Sequence, residues 1–127
     1  MKRDKKDRII VMSGSFDPMN LQDVKNISRA RKQGDWIVVG VNSDHYITHH
    51  LKRKVMETYE IRRQKVEHLR CVDEVATFDD SDGTAIGLLT LVQLIYPDAE
   101  VFYIVEDEGT TTIPETRVRD VKFLNIK

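Results

Sequence analysis

Cysteine is nearly absent from this sequence. Cys71 is the only one in 127 residues, so no internal disulfide can form and a reducing compartment is expected. Next to Val72 in an apolar segment, Cys71 reads as a small buried hydrophobe. Neither it nor the scattered serines shows a base partner, so covalent catalysis has no support. Long apolar runs are missing too. None approaches the roughly 18 residues of a membrane span, and the polar N-terminus lacks the apolar core of a signal peptide. A cytoplasmic protein without a membrane partner is expected. Net charge is only −1, so overall charge gives no argument for nucleic acid as a partner. No internal repeat or low-complexity tract appears.

Hydrophobic residues at 40% and charged residues at 32% are ordinary for a globular protein. The length suits a single domain over residues 1–127 with a proper core. Residues 1–8 form a basic leader, read as solvated. A second basic stretch holds Lys52, Arg53, Lys54, Arg62, Arg63, Lys65 and Arg70. Opposing it are two acidic clusters, one of Asp79, Asp80 and Asp82, the other of Glu106, Asp107 and Glu108. A local positive region in a near-neutral chain suits a small anionic ligand.

Residues 9–12 are a β-branched apolar run that stops at Ser13-Gly14-Ser15, as a buried strand entering a tight turn does. Leu21, Val24, Ile27 and Ala30 recur at helical spacing within residues 20–33, and Gly34 is the expected C-cap. Asp35 leads into the continuous apolar run 36–41, a strand covered on both faces. A polar connection at 42–54 precedes a helix over 57–69 and a third strand over 72–78. Asp82-Gly83-Thr84 is turn and N-cap chemistry for an apolar helix over 85–96. Strands at 101–105 and 121–126 complete the series. This alternation predicts an α/β fold: a Rossmann-like, doubly wound parallel sheet of about five strands, with helices on both faces.

Such sheets bind ligands beyond the carboxyl ends of their strands. The first strand ends at Ser13-Gly14-Ser15-Phe16-Asp17-Pro18, where Gly14 permits a sharp turn and the helix N-terminus forms an anion cradle. Residues 14–23 resemble the opening G-x-F-D-x-x-H-x-G-H of the cytidylyltransferase-like nucleotidyltransferases. The resemblance continues in Ala30 to Asp35 (A-x-x-x-G-D), Val39 to Asp44 (V-x-V-x-x-D), Arg62 (the arginine of an E-R helix) and Val72-Asp73-Glu74-Val75 (V-D-E-V). The branch it is most similar to contains glycerol-phosphate cytidylyltransferases and heptose 1-phosphate adenylyltransferases. What the resemblance implies is transfer of a nucleotidyl group from CTP or ATP, with Mg²⁺, to a phosphorylated sugar or alcohol, releasing pyrophosphate. It also implies a homodimer. Gly14, Ser15, Phe16, Asp17, Asp23 and Arg62 would bind nucleotide, with Asn20 and Lys54 as the catalytic pair. Lys54 is preferred to Lys52 by its distance from Arg62.

The phosphate site departs from that pattern. Asn20 replaces the first motif histidine and keeps only an amide donor. Gln22 replaces the glycine, with a side chain expected to fill space left for the nucleotide. Asp23 replaces the second histidine. Like charges 4 Å apart repel by about 4 kcal/mol at an effective dielectric near 20, so a carboxylate facing a phosphate opposes binding. Bridging of Asp17 and Asp23 by Mg²⁺ would relieve this; capping of the helix start is the alternative role. Ile113-Pro114-Glu115 matches the branch's I-P-E, but Val105 to Glu108 stands where its glycines and arginine belong. Gly109 to Thr112 offers a relocated version of its serine/threonine segment. His45 and His49 share an i, i+4 spacing but lack a third zinc ligand, so no metal site is expected. The stripe from Leu88 to Ile95 is core, part of it available to a second subunit.

Three readings follow: a catalytically degenerate nucleotidyltransferase-like protein acting through nucleotide or partner binding, a divergent active transferase, or a protein-interaction module.

Overall fold

The computed structural model describes residues 7–105 and 113–126. Residues 1–6 of the basic leader, the acidic residues 106–108 and the 109–112 segment lie outside the described residues. The first apolar run forms β1 (Arg8–Gly14) and the second β2 (Trp36–Val41). Three more strands follow: β3 (Glu74–Ala76), β4 (Glu100–Val105) and β5 (Val121–Asn125). Every pairing is parallel, in the order β3-β2-β1-β4-β5.

Helices α1 (Leu21–Arg31), α2 (Asp44–His49), α3 (Tyr59–Glu67) and α4 (Ile86–Ile95) connect the strands, and a 3₁₀ turn at Pro114–Arg117 precedes β5. Side chains along a strand alternate between faces. Ile10 and Met12 therefore meet Ile27 of α1 and Val66 of α3, while Ile9 and Val11 meet Leu88, Leu89 and Val92 of α4. Burying each such side chain contributes about 1.5–3 kcal/mol, enough to hold helices on both faces. Half-buried Cys71 packs at the margin of the first cluster.

Local details differ from the sequence expectations. The connection expected to be irregular contains α2, capped by Ser43, whose Oγ accepts the Tyr46 N–H at 3.1 Å. Only Ile47 of α2 is buried, so no apolar periodicity announces it. β3 is three residues long, shorter than the 72–78 expected. Gly34 is not a left-handed cap. The C-cap of α1 is Lys32, and Gly34 is required because a Cβ would lie 2.8 Å from the Arg8 carbonyl on β1. At α4, Thr84 Oγ1 accepts the Ile86 N–H, and the Ala85 N–H goes to Glu115 Oε2 at 2.7 Å. A buried carboxylate thirty residues onward thus completes this helix start.

Candidate functional site

The connections from β1 to β2 and from β3 to β4 diverge on either side of β1, placing the topological switch between β1 and β4. Ser13 Oγ and Tyr103 Oη meet across these strands at 3.1 Å. The residue that turns the chain here is Phe16, with a left-handed φ of 51°, rather than Gly14. Gly14 has a different duty: a Cβ there would stand 2.7 Å from the Phe16 ring. That ring is buried in the core cluster, so Phe16 shapes the turn from beneath.

Asp17 is buried and satisfied by three donors. Its Oδ2 accepts from Arg53 Nη1 at 3.0 Å and from the Met56 N–H at 2.9 Å, and its Oδ1 from the Glu57 N–H at 2.6 Å. Burial alone would raise its pKa. The backbone donors and Arg53 outweigh burial and hold the carboxyl below its ordinary 3.8. The consequence is geometric, since Asp17 latches the basic loop at 53–57 onto the β1–α1 turn.

Arg62 is fully buried. Its guanidinium donates to the carbonyls of Glu57, Ser15 and Asn42 at 2.8, 2.8 and 2.7 Å, and to Asp44 Oδ1 at 2.6 Å. One planar fork ties the turn, the end of β2, α2 and the basic loop together. Asp80, which the sequence shows only as part of an acidic cluster, is buried beside it. It accepts from Asn42 Nδ2, the Ser43 N–H and Ser43 Oγ. Burial, then the charges of Asp80 and Glu115, raise the Tyr46 pKa above 10.0.

Asn20 and Asp23 close on each other. Asn20 Oδ1 accepts the Asp23 N–H at 2.8 Å, and Asp23 Oδ2 accepts the Asn20 N–H at 3.0 Å, a capping box at the start of α1. The Gln22 amide donates to Asn26 Oδ1 at 2.9 Å, running along exposed helix surface instead of filling the cleft. Mg²⁺ bridging Asp17 and Asp23 does not fit these residues. Both oxygens of Asp17 already accept protein donors, and Asp23 serves as the cap.

Of the two candidate lysines, Lys52 donates its ammonium to the His49 carbonyl at 3.2 Å. Lys54 is exposed, in the loop that Asp17 anchors. The His45 and His49 rings stack at 3.9 Å. Among the described residues no group of three His, Cys, Asp or Glu is arranged to hold a metal ion.

The profile described as cytidylyltransferase-like matches residues 11–124. The chain belongs to the cytidylyltransferase-like family. It is 32% identical over 125 residues to the bifunctional protein HldE of Campylobacter concisus, a match covering 94% of this chain and 24% of that protein. It is 33% identical over 66 residues to the glycerol-3-phosphate cytidylyltransferase of Bacillus subtilis, covering 52% of this chain and 50% of the relative. The chain thus spans about a quarter to a half of these relatives' lengths. A solved lipopolysaccharide core biosynthesis protein from Thermoplasma volcanium shares the fold with a TM-score of 0.70 at 16% identity, covering 94% of this chain and 95% of that one.

In this family's frame, Asn20, Gln22 and Asp23 occupy the H-x-G-H positions, and the fold converts the substituted pair into a helix cap. Sequence reading singled out Asp17 and Arg62, whose side chains here brace the site from below. It missed Arg53, Asn42 and Glu115 as supports. Arg53 lay in the noted basic stretch, but nothing local marks which of its cations turns inward.

Proposed function

We propose that this chain is a catalytically degenerate nucleotidyltransferase-like protein that retains the family scaffold for binding a nucleotide, CTP or ATP, or a protein partner. The capping box carries this reading. It consumes two N–H groups at the start of α1 and leaves the Asp23 carboxylate where the transferred phosphates need positive charge. Asn20 supplies no charge. Lys54, exposed in the loop that Asp17 anchors, supports phosphate attraction more than stabilisation of a transition state.

Pyrophosphate release, with Mg²⁺ and either nucleotide plus a phosphorylated sugar or alcohol, is expected to stay at background. Nucleotide at one hundred times its dissociation constant stabilises a fold by about 2.7 kcal/mol, so a thermal-shift series is expected to show the bound nucleotide. Turnover that disappears in Lys54→Ala would overturn the reading. Absence of any shift with CTP and ATP would leave the interaction module instead.

One observation favours the divergent active transferase: the Asp17 latch holds Lys54 next to the turn. In that reading Asn20 donates to the phosphates and Lys54 neutralises charge. The proposal extends to a homodimer through Leu94 and Ile95, the exposed part of the α4 stripe. Light scattering giving one chain's mass would count against it.

A further inference from the structure

A groove of about 560 Å³ lies beside α4, away from the β1–α1 turn. Ile86, Thr90 and Gln93 line it at helical spacing, and Tyr96 and Pro97 close one end. The opposite wall is the stretch from Arg117 to Asp120 that leads into β5. Val118 packs into the core cluster under α4 and has an extended backbone, φ −77° and ψ 126°. Its neighbours Arg117, the last residue of the 3₁₀ turn, and Arg119 are both exposed, and both line the groove. Gln93 Nε2 donates to the Arg119 carbonyl at 2.6 Å, fixing this stretch against the helix.

The charge here is unmatched. α4 contains no ionisable residue. Arg31, Arg53, Arg62 and Arg63 are each paired with a carboxylate, whereas Arg117 and Arg119 are ion-paired with no described residue. Asp120 is the one carboxylate in the lining, and it pairs with neither. Two guanidinium forks on one wall suit the oxygens of a phosphate, and the volume falls in the range of small-molecule sites.

We propose that this groove is a second anion site, one that takes a small phosphate monoester. Arg117 and Arg119 hold the phosphate. Thr90 and Gln93 face the hydroxylated body, which extends toward Tyr96. The site is separate from the family's cleft and does not depend on whether that cleft binds nucleotide.

The test is an amide-shift titration of the whole chain with ribose 5-phosphate, ribose and inorganic phosphate. Saturable shifts at Thr90, Gln93, Arg117 and Arg119 are expected with ribose 5-phosphate, weaker ones with inorganic phosphate, and none with ribose. The exposed double substitution Arg117→Gln, Arg119→Gln is expected to weaken binding at least about tenfold while the circular dichroism spectrum is unchanged. The double lysine variant, which keeps charge but loses the forks, falls between. Shifts confined to residues 13–20, equal responses to ribose and its phosphate, or unaltered affinity in the glutamine variant would each overturn the proposal.

Discussion

Asp17 and Arg62 are two buried charges, each satisfied by several hydrogen bonds. Asp17→Asn keeps the shape but sets an amide donor against donors, and is expected to cost about 2–4 kcal/mol in urea unfolding. The folded carboxyl titrates below 3.8, so its contribution is fully present above the unfolded value and is lost as pH falls through the folded one. The stability gap between wild type and Asp17→Asn is therefore expected to be constant at neutral pH and to narrow below about pH 4. A gap that widened on acidification would contradict the latch. Arg62→Met removes the donor to three carbonyls and is expected to cost about 3–5 kcal/mol. Arg62→Lys keeps the charge, but one ammonium cannot span four acceptors, so chemical denaturation should show only partial recovery.

Among the elements, α1 shows how structure and chemistry compete for the same atoms. Asn20→Ala loses the acceptor for the Asp23 N–H and is expected to lower stability by about 1 kcal/mol. Asn20→His, which restores the family residue, is expected to lose a similar amount by thermal melting, because imidazole is a poorer cap. The contact between β2 and α4 is tighter. A Cβ on Gly40 would stand 2.6 Å from Leu88 Cδ2 and 2.7 Å from the Phe78 ring. Gly40→Ala is thus expected to cost about 1–3 kcal/mol through overpacking, which differential scanning calorimetry would register.

For the whole molecule, the alternation of apolar runs and helical spacings was sufficient to specify the doubly wound parallel sheet. Each buried strand needs cover on two faces, and only crossover helices supply it in this order. β1, β2 and α4 were legible because their apolar patterns are continuous and strong. α2 was not, because six mostly polar residues carry a helix on one cap and one buried isoleucine. The candidate residues Gly14, Asp17, Asn20, Asp23 and Arg62 were marked by motif, and Lys54 by its distance from Arg62. Their duties were not. By itself the sequence determined the fold class, which follows from residue type and spacing, and its resemblance to the family marked the replacement of both motif histidines. Only the tertiary structure decided that Asp17 and Arg62 brace the turn, that Asn20 and Asp23 cap each other, and that Glu115 completes α4. The reason is physical: a side chain's role depends on which donors lie within hydrogen-bond reach, and for Asp17, Arg62 and Glu115 those donors and acceptors come from residues five to forty-seven positions away.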